Sequence, residues 1–264
     1  VLLDEASNVW VFGGNEVGQL GQGNHRSAIP IQIPSLPPIK AVSAGLTYTV
    51  LLDEEGKVWV FGSNHNNQLG LGDMLGELKI RNTPAQIPNL PPIKAVSAGA
   101  QHTVLLDDKG KVWSFGNAAY GQLGRVTFKG SATPAYIPLL PPFQALSAGD
   151  FHTVVLDDKG KVWVFGSNKF GQLGLGDENN RNTPAQIPNL PLIKAVSAGS
   201  MHTVLLDYEG KVWAFGNKPG IGHTNSSNTP VQIPNLPPIR AISAGVDTTF
   251  LLDEEAKVWS LGNN

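Results

Sequence analysis

The chain has 264 residues, of which 19 are Lys or Arg and 21 are Asp or Glu, giving a net charge of -2 with both signs interspersed. This balance excludes the basic footprint of a nucleic-acid or anionic-membrane binder. The absence of cysteine excludes disulfides, thiolate metal sites and cysteine nucleophiles, and no apolar run approaches the roughly 18 residues that span a bilayer.

The first element, Val1–Gly13, is a truncated copy of a stretch that returns at Ser43–Gly62, Ser97–Gly116, Ser147–Gly166, Ser197–Gly216 and Ser243–Gly262. A period of about 50 residues marks an array of supersecondary units, each unable to bury its apolar faces alone. Residues 1–264 are therefore expected to form a single domain. Val1 falls inside a repeat and no initiator Met or leader is visible, so the chain is expected to be a trimmed piece.

The copy beginning near residue 93 illustrates the elements. Ile93–Gly99, His102–Asp107, Lys111–Gly116 and Pro134–Pro138 are short β-compatible runs, and Asp107-Asp-Lys-Gly110 is a tight turn with Gly where φ > 0 is needed. Spread through every repeat, 20 prolines and 30 glycines leave no window for a long helix. The Leu-Leu and Val-Trp-Val-Phe runs are apolar on both strand faces, as in a sheet covered on both sides. Small sheets stacked around an axis satisfy this, so the expected fold is all-β: a β-propeller of about six four-stranded blades, or seven if residues are missing, with incomplete terminal blades.

From Pro30, Pro84, Pro134, Pro184 and Pro230 to the next Trp the spacing is always 29 residues, whereas from each Trp to the following proline it is 20, 25, 21, 21 and 17. Length variation is thus confined to the connection between the third and fourth strands. Alternating strand direction puts that connection on the same face as the Ala-Gly-x-x-His-Thr turns, so the residues that differ between repeats gather on one face. In the first and last hairpins Ser7 and Ala256 replace the turn glycine. A non-Gly residue there costs roughly 1–2 kcal/mol, so looser turns or turns of another type are expected.

Ser-Ala-Gly-x-x-His-Thr, Gly-Lys-Val-Trp-x-Phe-Gly-x-Asn and Gly-Gln-Leu-Gly (Gly18–Gly21, Gly121–Gly124 and Gly171–Gly174, with Asn67-Gln-Leu-Gly70) recur in register. Together they resemble the regulator of chromosome condensation repeat over essentially the whole chain. The resemblance implies a propeller, commonly of seven blades. It also implies functions spanning nucleotide exchange on the small GTPase Ran, ubiquitin-ligase modules, an ultraviolet-B photoreceptor, a β-lactamase inhibitor and bacterial effectors. Departures narrow the choice. The 264 residues include no basic tail of the kind that helps the exchange factor hold chromatin, so chromatin binding is not expected of them, and the turns here differ from the photoreceptor's Gly-Trp-Arg-His-Thr.

His102, His152 and His202 share one repeat position, with Tyr48 and Thr248 elsewhere, and read as structural residues making a hydrogen bond inside each blade. No carboxylate recurs beside them, so no metal is expected. Asp4, Asp53, Asp107, Asp157, Asp207 and Asp253 read as turn formers. The Gly-Gln-Leu-Gly loops lack the helix N-terminus and Lys-Ser/Thr of a phosphate cradle and read as packing glycines. No nucleophile constellation and no cofactor motif is found, so the chain is expected not to be a chemical catalyst.

The informative residues occupy the x-x turns: Leu46 and Thr47, Ala100 and Gln101, Asp150 and Phe151, Ser200 and Met201, Val246 and Asp247. In the exchange factor, acidic and His residues of these turns help engage the GTPase, so the resemblance carries that role to Asp150 first and Asp247 second. Leu46, Phe151 and Met201, with Tyr120 and Phe170 in neighbouring loops, suit an interface core, the alternative being that Phe151 and Met201 pack into a central channel. The longest loop, Asp73–Asn82, holds Met74, Leu75, Glu77 and Lys79 and reads either as a wedge pressed on a partner or as a solvated connection.

The leading expectation is a monomeric interaction propeller that binds a Ran-type small GTPase through its loop-rich face and promotes guanine-nucleotide exchange. It would sit in a cytoplasmic or nuclear setting. Near-identical repeats (Arg81–Pro91 and Arg181–Pro191) would also fit a bacterial effector in a host cytosol. The alternative is a scaffold, a targeting module or an enzyme inhibitor without exchange activity.

Overall fold

The computed structural model describes residues 1–23, 25–72, 79–127, 130–138, 140–217 and 226–262. They form six antiparallel sheets in chain order, the blades of a β-propeller. The first holds β1 (Leu2–Leu3), β2 (Val9–Gly13) and β3 (Ser27–Gln32). The second holds β4 (Ile39–Ala44), β5 (Tyr48–Asp53), β6 (Val58–Ser63) and β7 (Ile80–Gln86), and the third β8 (Ile93–Ala98), β9 (His102–Asp107), β10 (Val112–Gly116) and β11 (Ser131–Tyr136). The fourth holds β12 (Phe143–Ala148), β13 (His152–Asp157), β14 (Val162–Gly166) and β15 (Arg181–Gln186). The fifth holds β16 (Ile193–Ala198), β17 (His202–Asp207), β18 (Val212–Asn217) and β19 (Ser226–Gln232), and the sixth β20 (Ile239–Ala244), β21 (Thr248–Asp253) and β22 (Val258–Gly262). The first sheet lacks the leading strand of the repeat and the last its outer strand, as the truncated end copies imply.

The sheets fall into two compact units. Residues 1–118 and 127–140 carry the first three, and residues 119–126 and 141–264 the last three. Within each unit the second strand of every four-stranded sheet is buried along its whole length, because neighbours cover both faces. Outer strands mix half-buried and exposed residues with none buried.

The outer strand of the third sheet begins at Ser131, three residues before the proline expected to open it. The pairing with β10 runs Trp113↔Tyr136 and Ser114↔Ala135, then jumps to Gly116↔Ser131. Pro134 lies in that shifted stretch of an edge strand, where its missing N–H costs no ladder bond.

Strand residues of adjacent sheets share core clusters, and the loop after the third strand adds to this packing. In the first unit Leu20 shares a core cluster with Phe61, and Leu69 with Phe115; in the second, Leu173 shares one with Phe215. Each loop leucine thus reaches forward under the aromatic of the next sheet. Burying a Phe or Leu completely contributes about 1.5–3 kcal/mol. Polar ties repeat the same geometry. Ser43 Oγ accepts the Ala98 N–H, Ser147 Oγ that of Ala198 and Ser197 Oγ that of Ala244, each at 2.9 Å. Thr103 Oγ1 donates to the Gln68 carbonyl (2.7 Å) and Thr203 Oγ1 to that of Gln172 (2.8 Å).

The end hairpins correct the expectation of looser turns. Ser7 (φ 62°) and Ala256 (φ 63°) adopt the left-handed conformation, as Gly56 does (φ 82°). All three N–H groups bond back to the aspartate carbonyl, at 3.1, 3.2 and 3.1 Å. The surrounding hydrogen bonds hold the same turn in spite of the backbone cost.

Candidate functional site

The six turn aspartates do more than shape turns. Asp107 Oδ1 accepts the N–H groups of Lys109 (3.0 Å) and Lys111 (2.8 Å), while Oδ2 accepts the Trp113 indole N–H at 3.0 Å. The carboxylate–indole bond recurs in all six sheets at 2.9–3.1 Å. These bonds to Trp10 and Trp259 hold the Asp4 and Asp253 carboxyls below the ordinary carboxylate range. Depressed carboxylates stabilise the fold above their unfolded range, near pH 4, and that contribution is lost as pH falls further. The constant six-residue step from Asp to Trp was the sequence signal for this bond. Asp107→Asn is expected to lose about 1–2 kcal/mol in urea unfolding, because an amide offers only one oxygen to two groups of donors. Wild-type stability in that variant would mean that solvent serves Trp113.

The shared histidine position links neighbouring sheets rather than staying inside one blade. His152 Nε2 meets Thr203 Oγ1 at 2.9 Å and His202 Nε2 meets Thr249 Oγ1 at 2.9 Å. Thr203 gives its proton to the Gln172 carbonyl, so His152 Nε2 is the nitrogen that carries hydrogen. In the second sheet Tyr48 takes the position, and its phenol donates to the His102 carbonyl of the third at 2.5 Å. Burial raises the Tyr48 phenol and pushes His102 down to about 3. Burial also lowers His202, partly offset by the negative charge of Asp247.

In the second unit, the turns after the first strands gather several singled-out residues. Half-buried Asp150 accepts a 2.5 Å hydrogen bond from Ser200 Oγ, and Ser200 is only 7% exposed. Phe151 is half-buried and stacks edge-to-face with Tyr120, with centroids 5.3 Å apart and planes at 66°; Tyr120 is 45% exposed. Met201 and Phe170 are half-buried, Asp247 is exposed and Val246 is 68% exposed. The turns are therefore not uniformly solvent-facing: Ser200 is a buried prop for a carboxylate.

In the first unit Leu46 is exposed, Thr47 half-buried and Ala100 buried. Gln101 is half-buried, its Oε1 accepting the Asn117 amide at 2.8 Å. Of the wedge loop, Met74, Leu75 and Glu77 lie outside the described residues. Lys79 is exposed, and its carbonyl accepts the Asn64 N–H at 2.7 Å. Among the described residues no three His, Asp or Glu stand together as metal ligands, and no helix is long and apolar enough to cross a membrane.

Human Protein RCC2 is 31% identical over 134 residues, 47% of this chain and 24% of RCC2, so the chain spans about a quarter of that relative's length. The crystal structure of yeast RCC1 (Prp20) bound to Kap60 superposes with a TM-score of 0.88 at 25% identity, covering 98% of this chain and 67% of that one. Prp20p from Saccharomyces cerevisiae, whose structure was described with its binding properties to Gsp1p and histones, gives 0.70 at 21% identity, covering 98% and 82%. The family model of the RCC1-like domain matches residues 1–264. With its repeated Trp hairpins and linked sheets, the chain belongs to the RCC1-like domain family.

Proposed function

We propose that this chain is a protein-interaction propeller whose turn end in the second unit binds a small GTPase of the Ran type and lowers its affinity for guanine nucleotide. The observation that carries the reading is the edge-to-face pair of Phe151, in the turn that also holds Asp150, with Tyr120 of the loop after β10, beside a carboxylate oriented by the buried Ser200 hydroxyl. Sheet packing does not require two large rings at such a position, and aromatic anchors beside an oriented charge are what protein interfaces use. The comparisons add that a yeast member of the family has been studied for binding to Gsp1p.

The mechanism needs no covalent step. A rigid face that binds the nucleotide-free GTPase more tightly than the nucleotide-bound form must, by linkage, weaken nucleotide binding by the same factor. Release of fluorescent GDP from Ran and related GTPases tests this. Wild type is expected to accelerate release, and Asp150→Ala to lose about tenfold of that acceleration, the size of one charge-assisted hydrogen bond at 1.5 kcal/mol. No acceleration with any GTPase, from protein that still unfolds cooperatively, would favour the scaffold or inhibitor alternative.

A further inference from the structure

The loop residue that follows Gly-Gln-Leu-Gly is a leucine packed on the core in two repeats and is replaced in two others. Leu71 is 3% exposed and shares a core cluster with Ile87, Leu90 and Trp113. Leu175, half-buried, packs with Ile187, Leu190 and Trp213 in the corresponding cluster of its own unit. The equivalent residue in the first repeat is Gln22, and Arg125 stands there in the third. The backbone at Gln22 is unchanged. The next residue, Gly23, has φ 76° and donates its N–H to the Asn82 carbonyl at 3.0 Å; Gly176, after Leu175, has φ 84° and donates to the Asn228 carbonyl at 2.8 Å.

Only the side chain differs. Gln22 turns aside, and its Nε2 donates to the Gln32 carbonyl at 2.8 Å. Where the leucine would lie is a groove of about 350 Å³, lined by Ile33, Pro34, Leu36, Trp59 and Pro84 as well as Gln22. Its walls are the counterparts of those that pack against Leu71 and Leu175: Ile33 for Ile87 and Ile187, Leu36 for Leu90 and Leu190, Trp59 for Trp113 and Trp213.

The geometry points to this groove as a docking site for an extended segment of a partner protein that presents a leucine. The occupant is identified by the molecule itself: twice on this chain, walls of the same composition pack against a leucine carried on irregular backbone, burying Leu71 and half-burying Leu175. Trp59 and the two proline rings supply flat apolar faces that a branched aliphatic side chain desolvates. The Gln22 carboxamide at the rim offers a polar partner to the peptide groups on either side of that side chain. All the lining residues belong to the first unit and none is shared with the turn residues proposed to bind a GTPase, so the proposal stands without that reading.

The test uses the full chain, labelled with ¹⁵N, and N-acetyl-leucine-methylamide as the probe. The Trp59 indole and Gln22 carboxamide resonances are expected to shift saturably, with a dissociation constant on the order of millimolar for so small a ligand. The glutamine derivative should bind at least tenfold more weakly, on the order of the gain from burying an aliphatic side chain. Gln22→Leu installs the residue that plugs the other two grooves. That variant should no longer respond to the probe and should melt at a higher temperature than wild type. No saturable shift at Trp59, an undiminished shift in Q22L, equal binding of the glutamine derivative, or a Q22L protein less stable than wild type would each overturn the proposal.

Discussion

Gly70→Ala is expected to destabilise the first unit by roughly 2–5 kcal/mol in urea unfolding, although it adds one methyl group. Two costs combine. Gly70 sits at φ 65°, where an L-residue costs about 1–2 kcal/mol. A Cβ built there would lie 2.6 Å from Cε2 and 2.7 Å from Cδ2 of Phe115, a ring with 0% exposure that has no room to retreat. Overpacking of a closed core adds about 1–3 kcal/mol. The control is Gly56→Ala, also at positive φ (82°), where the nearest atoms to a Cβ are Ile93 N and O at 3.0 and 3.1 Å. Ser7 and Ala256 already occupy that turn position in the end repeats, so only the backbone cost of about 1–2 kcal/mol is expected. Equal losses in the two variants would show that the Phe115 ring yields and that the close approach of loop to ring is not a constraint.

This contrast also marks what could be read from the sequence. The constant 29-residue step from proline to Trp located the strands, because a repeat that tolerates length change in only one connection reveals its own framework. The glycines of the Gly-Gln-Leu-Gly loop were legible as packing residues, but not the ring that Gly70 meets, since Phe115 belongs to the next repeat. The histidines show the same limit. A shared position in successive repeats implies a shared hydrogen bond without saying whether it stays in the sheet, and His152 reaches Thr203 some 50 residues on. At the turn end, Asp150 was visible as an acidic residue in a variable turn. Its restraint by Ser200 was not, because that depends on two turns of different sheets converging. Gln22 carries no signal in the sequence, because a lone polar residue in a loop gains meaning only once the leucines at its equivalent positions are seen to pack into the core, Leu71 fully and Leu175 in part.

Acidification below pH 6.5 is expected to cost more stability than any single hydrogen bond considered above, and His102 is the residue to blame. Its imidazole is completely buried, and desolvation pushes it from the ordinary 6.5 down to about 3. A lowered folded value means that the unfolded chain binds the proton first. Stability is therefore complete above about pH 6.5 and falls as pH drops toward 3, at close to 1.4 kcal/mol for each pH unit. By pH 4.5 the loss from this one group reaches about 3 kcal/mol, a large share of the 5–15 kcal/mol typical of a domain. His202, also lowered by burial, acts in the same direction. The Asp–Trp pairs act in a separate window, because the depressed carboxyls of Asp4 and Asp253 lose their contribution only below their ordinary 3.8. The measurement is urea unfolding at half-unit steps from pH 7.5 to 4, on wild type and on His102→Tyr. Tyrosine already fills the equivalent position at Tyr48, and it does not titrate in this range. The variant should start less stable, since the tyrosine enters a pocket shaped for imidazole, but its stability should decline more gently below pH 6.5. Parallel curves would mean that His102 takes up its proton in the folded chain as easily as in water, and that its burial carries no electrostatic cost.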